Sequence, residues 1–112
     1  MSLRRSHTAV LEKNTTFTSG FVTEPYEVAW ASEAIWFIRI FEWEGSQTRL
    51  RLKVQISPDG LDWCDHGEDL SIEAKELYSI PVKDFGHWLR LKADMHGDEA
   101  KVRAQILLAL KE

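Results

Sequence analysis

The sequence predicts an all-β protein, an antiparallel β-sandwich of the jelly-roll kind with seven to nine short strands. Residues 49–56 alternate polar and apolar side chains without exception, which is the period of a half-buried strand. Residues 101–110 show the same alternation, with an apolar residue at every second position. Turn sequences such as Ser57-Pro58-Asp59-Gly60 separate the alternating segments at short intervals, as in antiparallel sandwiches.

Length and composition indicate one domain covering residues 1–112. A chain of 112 residues can bury a single hydrophobic core without a metal or a disulfide. Cys64 is the only cysteine, so an intramolecular disulfide is excluded. The net charge of -4 argues against general nucleic-acid binding. No apolar run approaches the about 20 residues that a membrane-spanning helix needs.

The N-terminal region is predicted to be irregular. Residues 1–13 are polar and of mixed charge, which predicts a loose arm with a short strand at residues 8–11. The opening sequence MSLRRSHTAV has no apolar stretch of the signal-peptide kind. We therefore expect a cytoplasmic or virion-like location if this N-terminus is native, and export if a signal has been removed.

The segments that follow indicate short strands. Residues 14–24 are rich in Thr, Phe and Val around Ser19-Gly20, which predicts two short strands or one bulged strand. Pro25 argues against a central strand at that point, and residues 26–30 are predicted to form another short strand.

Residues 34–43, AIWFIRIFEW, are apolar on both sides of a predicted strand. Burying Arg39 would be costly, so the side carrying Trp36, Ile38 and Ile40 is predicted to face the core. The opposite side then carries large apolar groups that are too extensive to leave in water. We expect the N-terminal arm or another subunit to cover them, and they form the predicted interface of a homo-oligomer: Ile35, Phe37, Phe41 and Trp43.

The remaining segments are predicted to be strands joined by turns. Residues 44–47 are expected to form a hairpin loop into the strand at 49–56. Further strands are predicted at residues 61–66, 77–82 and 87–95, with a helical turn at 71–76. Residues 98–110 contain good helix formers and a capping Asp98, so a helix is the alternative there. Their alternation, after a predicted hairpin turn at 96–98, favours a strand.

Basic side chains occupy the outward positions of several predicted strands. If these strands share a sheet, their side chains form a face able to bind an anionic glycan or an acidic protein surface. The alternative is a solvated face on which acidic neighbours balance the charge. The predicted ligand face consists of Trp88, Arg90, Lys92, Arg49, Arg51 and Lys53, with Lys101 and Arg103 at the same parity.

The residues do not predict a catalytic, cofactor-binding or metal-binding set. Cys64 and His66 share one side of a predicted strand, but no spacing supplies further zinc ligands or a base for a nucleophile. The acidic residues between 59 and 69 lack the spacing of a calcium loop. Three tryptophans could stack on a sugar ring, with packing in the fold as the alternative: Trp43, Trp63 and Trp88.

The second half of the chain resembles discoidin-type domains, which belong to the galactose-binding-like jelly rolls. VQISPDGLDW is followed some twenty residues later by HWLRLKAD and a final alternating strand. Ser57, Asp59, Gly60 and Trp63 match that family's Ser-x-Asp-Gly-x-x-Trp string. The resemblance implies a strand, a turn and a tryptophan that packs back onto the sandwich. The chain has neither the family's terminal cysteine pair nor a clear counterpart of its N-terminal half.

These observations favour a non-enzymatic β-sandwich that acts through its protein surfaces as a self-associating structural or assembly module. The alternative prediction is a carbohydrate-binding jelly-roll module. An enzyme, which would have to rely on Cys64 and His66, is the third hypothesis.

Overall fold

The computed structural model describes residues 4–112 and confirms the all-β, antiparallel fold. Every strand pairing in it is antiparallel. Across this part of the chain, no helix is both long and apolar enough to span a lipid bilayer. The strands are β1 (Ser6–Phe17), β2 (Phe21–Val22), β3 (Tyr26–Glu27), β4 (Glu33–Ser57), β5 (Cys64–Asp65), β6 (Leu70–Ile72), β7 (Leu77–Val82) and β8 (Trp88–Lys111).

Two long strands form the centre of the fold. β4 has 25 residues and β8 has 24, and they pair from Glu33 opposite Lys111 to Ser57 opposite Trp88. A strand of this length must bend if both of its halves are to reach one core. The register shifts around residues 44–49 of β4, opposite Gly97, and there the ribbon folds over itself.

The bend divides the sheet into two layers. Layer 1 contains β1, residues 101–111 of β8, residues 33–44 of β4, and β7. Layer 2 contains β2 and β3, residues 88–96 of β8, residues 49–57 of β4, and then β6 and β5. The order in which successive segments of the chain lie side by side in the two layers is that of a jelly roll. The predicted jelly-roll-like sandwich is therefore confirmed.

The core lies between the layers and contains the side chains that the alternation predicted to be internal. In layer 1, Trp36, Ile38, Ile106 and Leu108 are at most 1% exposed. In layer 2, Leu50, Leu52, Leu89 and Leu91 are equally buried. Residues 101–110 are therefore a strand and not a helix, because all five of their alternating apolar positions lie inside.

The hairpins predicted at residues 44–47 and 96–98 do not form. Both segments are bends within continuous strands, and the halves of β4 pair with β8 and not with each other. Gly45 and Gly97 have φ angles of +105° and +126°, which suit a bulged bend as well as a hairpin. The same residue types are therefore compatible with a hairpin turn and with a bend in a continuous strand. Which of the two forms depends on the strand with which each half pairs.

Two further local predictions need correction, although the short strand predicted at residues 8–11 does lie within β1. Residues 6–13 of the predicted loose arm belong to β1, which pairs with the last residues of β8, while residues 1–3 lie outside the described part of the chain. The predicted helical turn at 71–76 is replaced at its start by β6, which pairs with Leu50–Leu52 of β4. Burial of Ile72 explains this strand, since its side chain is 0% exposed.

Trp43 does not share the outer face of layer 1 with Phe37, as the strict alternation had predicted. The register shifts between Ile40 and Glu42, which places Trp43 opposite the fully buried Val102. Directly opposed residues point to the same face of a sheet. One extra residue in β4 therefore turns Trp43 towards the core, against which it packs while half-buried.

Candidate functional site

The outer face of layer 1 carries a group of apolar side chains, here called the layer 1 patch. Val10, Ile35 and Leu77 are 55%, 36% and 54% exposed. Phe37 and Leu107 are half-buried and directly opposite each other. The patch thus contains Ile35 and Phe37 of the predicted interface, and no segment within residues 4–112 covers it.

Phe41, the remaining residue of that predicted interface, lies at the border of the patch. The guanidinium carbon of Arg103 lies 5.0 Å from the centre of the Phe41 ring. The same guanidinium donates hydrogen bonds to Asn14 Oδ1 at 2.8 Å and to Glu42 Oε1 at 3.3 Å. Phe41 is therefore partly covered by a cation that hydrogen bonds from β1 and from β4 hold in place.

The predicted ligand face is assembled on the outside of layer 2. Its strands are neighbours, with Lys53 directly opposite Lys92 and Arg51 opposite Asp94. Lys101 and Arg103, which have the same parity, lie in layer 1 and so do not join this face. The residues brought together are Trp88, Arg90, Lys92, Arg49, Arg51 and Lys53.

Acidic neighbours balance much of the positive charge of this face. Arg49 pairs with Glu73 at 3.1 Å, and Lys53 lies 3.6 Å from Asp65 and 3.8 Å from Asp69. The hydrogen bond from Gln55 and the nearby Lys53 lower the pKa of the Asp65 carboxyl. The face therefore has mixed charge, which matches the solvated alternative better than a site for an anionic ligand.

Trp88 of this face and the neighbouring Trp63 make contacts within the fold. The guanidinium carbon of Arg90 lies 4.3 Å from the centre of the Trp63 ring, and its Nε donates to Gln55 Oε1 at 2.7 Å. The Trp88 ring lies against Gly60, where an added Cβ would come within 3.4 Å of it. Each ring therefore packs within the fold on at least one side.

The turn after β4 is built from reciprocal hydrogen bonds. Asp59 Oδ1 accepts from the backbone N–H of Leu61 at 2.9 Å and of Asp62 at 3.2 Å. Ser57 Oγ accepts from the backbone N–H of Gly60 at 2.8 Å, which explains why Ser57 is buried. The two backbone donors lower the pKa of the Asp59 carboxyl below its ordinary range.

We expect the protein to lose stability in acid partly through Asp59. Because the pKa of Asp59 is lower in the folded state, its contribution is complete above about pH 4 and is lost as the pH falls. Asn at this position keeps an acceptor oxygen but cannot titrate. Urea unfolding at a series of acidic pH values should give a shallower decline of the unfolding free energy for Asp59→Asn than for wild type.

Asp62→Asn is the matched control for this experiment, since the Asp62 side chain accepts none of the hydrogen bonds of the turn. It should decline as steeply as wild type. Equal slopes for wild type and Asp59→Asn would show that the turn bonds do not depend on the charge of Asp59.

Cys64 and His66, the residues of the enzyme hypothesis, lie at and just after β5. Cys64 is exposed, and the imidazole Nε2 of His66 donates to the backbone oxygen of Lys83. Across residues 4–112, no group of three His, Cys, Asp or Glu side chains is arranged to hold a metal ion. Asp65 is instead bonded to Gln55 at 2.8 Å.

A groove of about 910 Å³ lies beside the bend of β4 and β8, and we call it the corner groove. Sequence reasoning missed it, because its walls come from two bends that were predicted to be separate hairpin loops. A glycine in each of the two paired strands, each packed against the backbone of the other strand, could have indicated it, had the pairing been known. The groove is lined by Trp43, Gly45, Gln47, Thr48, Arg49, Glu73, His96, Gly97 and Asp98.

Comparison with known proteins places the chain in a family. The search of curated proteins finds no match. A family model matches residues 44–111, which extend from the bend of β4 to the end of β8 and make up more than half of the chain. The matched region includes the lining of the corner groove apart from Trp43, and layer 2 apart from β2 and β3. The chain belongs to the family described as Domain of unknown function (DUF6385).

Proposed function

We propose that this domain is a non-catalytic β-sandwich that self-associates through the outer face of layer 1, as a structural or assembly module. The observation that carries the proposal is the layer 1 patch. Three of its large apolar side chains are each more than a third exposed, although they belong to one face of one sheet. An apolar group of this extent on a sheet face is typical of a protein–protein contact.

The strand register makes the patch continuous across the layer. Val10 of β1 lies opposite Leu107 of β8, Leu107 lies opposite Phe37 of β4, and Phe37 lies opposite Ser79 of β7. The adjacent row runs through Ala109 and Ile35 in the same way. Side chains aligned in this manner form a flat apolar surface, which suits packing against a second sheet.

The edges of layer 1 are less suited to association than its face. β1 is one edge, and its register with β8 shifts between Val10 and Glu12 and again between Glu12 and Thr15. β7 is the other edge, and it contains Pro81, which has no backbone N–H to offer. Bulges and proline are features that prevent an edge strand from pairing with another molecule. Face-to-face packing therefore remains as the way for two copies to meet.

The dimensions of layer 1 suit a second copy of the same chain as the occupant. β1 has 12 residues, so the layer is about 40 Å long and, with four strands, about 19 Å wide. Because β7 has only six residues, the face covers roughly 650 Å², which approaches the about 800 Å² that each partner buries in a standard interface. Arg39, which donates to Gln105 at 3.2 Å, and the Arg103 group supply a polar rim.

Phe37→Glu should weaken self-association without unfolding the subunit. The Phe37 side chain lies on the outer face and is only half-buried, so its replacement leaves the core intact. In a symmetric dimer the substitution places two carboxylates in the contact, and we expect dissociation to become at least about tenfold easier. Sedimentation velocity over a range of protein concentrations measures this directly.

Leu61→Glu is the matched control, because Leu61 is 80% exposed in the turn after β4, away from layer 1. It should associate like wild type. A wild-type protein that stays monomeric at the highest concentration, or a Phe37→Glu protein with unchanged mass, would refute self-association through this face.

A further inference from the structure

The outward positions of β4 in layer 1 carry a charge at each end and apolar groups between them. In chain order they are Glu33, Ile35, Phe37 and Arg39, and no register shift interrupts this part of the strand. Across residues 4–112, neither Glu33 nor Arg39 takes part in an ion pair. We call these four side chains the β4 stripe, which is acidic, apolar, apolar and basic along its length.

The β4 stripe is complementary to itself only when one copy is reversed. In a face-to-face dimer, a two-fold axis that crosses β4 at the level of Trp36 lays the strand over the partner's β4 in the opposite direction. Glu33 then meets the partner's Arg39, and Ile35 meets the partner's Phe37. The symmetry makes each contact occur twice. Two stripes laid in the same direction would oppose like charges.

We propose that two copies form a closed dimer with antiparallel β4 strands, oriented by ion pairs between Glu33 and the partner's Arg39. This inference rests on the proposed self-association through layer 1, and it adds the orientation and the stoichiometry. A two-fold contact uses the same surface on both copies. Each copy therefore has no second layer 1 face to offer, so assembly through this face stops at two subunits and does not continue into a filament.

The other symmetric arrangement pairs the charges less completely. If the two-fold axis ran along the strands between β4 and β8, Glu33 would meet the partner's Lys111 and Arg39 would meet the partner's Gln105. Lys111 already lies directly opposite Glu33 within one subunit. Arg39 would then lose water in the contact without gaining a carboxylate, which is costly for a charged group. In the antiparallel arrangement all three charged side chains have an opposite charge beside them.

Glu33 and Arg39 cannot interact within one subunit. Six residues of continuous strand separate them, which is a distance of about 20 Å. Substitutions that far apart normally have additive effects, and salt screens charges beyond about 8 Å at physiological ionic strength. Any coupling between the two positions in a measured dissociation constant therefore reports a contact between subunits.

Sedimentation equilibrium on charge-reversal variants of the full chain tests the orientation. Glu33→Arg and Arg39→Glu each bring like charges together twice per dimer, so each should raise the dissociation constant at least about tenfold. The double variant restores both pairs with the charges exchanged, and it should return to within about threefold of wild type. Both side chains are exposed, so circular dichroism spectra should be unchanged.

Mixing the single variants provides a second test that needs no double variant. A heterodimer of Glu33→Arg with Arg39→Glu has opposite charges at both contacts, so the mixture should associate more tightly than either variant alone. Glu33→Arg mixed with Lys111→Glu is the matched control, because it has the same total charge but still leaves one guanidinium facing another. This control mixture should associate at least about tenfold more weakly than the first.

Three results would overturn the antiparallel dimer. The first is that the two substitutions have additive effects in the double variant, or that the two mixtures associate equally. The second is that Lys111→Glu alone weakens association as strongly as Glu33→Arg, which would assign the contact to the axis along the strands. The third is growth of the wild-type protein beyond two subunits. If Phe37→Glu still dissociates the assembly in these cases, self-association through layer 1 stands and only the orientation is wrong. A monomeric wild-type protein would refute both.

Discussion

Gly97→Ala should be among the most destabilising single-methyl changes in the molecule. Gly97 has a φ of +126°, which side chains with a Cβ rarely adopt. The new methyl carbon would lie 2.8 Å from the Thr48 Cα and 3.0 Å from the Ser46 oxygen, both backbone atoms that cannot rotate away. Backbone strain and overpacking together should cost roughly 3–5 kcal/mol of unfolding free energy. Urea unfolding followed by far-ultraviolet circular dichroism measures it.

Gly67→Ala separates the effect of backbone strain from that of overpacking. Gly67 also has a positive φ, +81°, but a Cβ added there meets no atom within 4 Å. This variant should show only the backbone strain, about 1–2 kcal/mol. If Gly97→Ala costs no more than Gly67→Ala, the two strands do not pack as closely at the bend as the structure describes.

The prediction at Gly97 also shows what local sequence leaves undetermined. Gly45 and Gly97 lie where the chain turns sharply, and the glycine residues alone are enough to predict a sharp turn at each position. Whether the chain reverses or only bends depends on which strand each half pairs with, and this is settled by contacts between residues far apart in sequence. β4 and β8 pair over their whole length, so both predicted hairpins become one shared corner.

The alternation of apolar residues was the most reliable guide, because its cause is local. Burial of one side of a strand requires a period of two regardless of how the strands are ordered. Leu50, Leu52, Val102 and Ile106 are accordingly buried as predicted. The alternation fails where an extra residue interrupts the ladder, and Trp43 lies beyond the shift between Ile40 and Glu42. No residue type between Ile40 and Glu42 indicates that a bulge forms there.

Parity predicts which side of its strand a residue occupies, but not which other side chains surround it on the assembled sheet. Parity places Lys53 and Lys92 on outward sides, and the pairing of β4 with β8 makes them neighbours. Parity does not predict the acidic side chains that later segments of the chain place beside these lysines. Asp65 and Asp69 reach Lys53 from the segment after the turn. The charge of a sheet face therefore depends on its edge strands, whose position no periodicity reveals.

Trp36→Ala should produce the second large loss of stability. Trp36 is the largest of the fully buried side chains, 0% exposed between Leu108 and Ile80, its neighbours across the ladder. Truncation of a buried tryptophan removes apolar contact and leaves a cavity that the two layers cannot close, which typically costs about 3–5 kcal/mol. Many domains have only about 5–15 kcal/mol in total, so the variant should unfold at a much lower urea concentration.

Trp36→Phe and Trp63→Ala are the comparison variants for this result. The first makes a smaller change at the same position, and the second truncates a tryptophan on the outer face. The indole Nε1 of Trp36 has no hydrogen-bond partner among the described protein atoms, so phenylalanine removes an unpaired buried donor along with part of the ring. Its cost should stay below about 2 kcal/mol, because relief of that donor offsets the smaller cavity. Trp63 lies on the outer face against Arg90, and its truncation should cost about 1–2 kcal/mol. If Trp36→Ala is no worse than Trp63→Ala, the two layers do not pack around Trp36, and the sandwich arrangement itself would be in error.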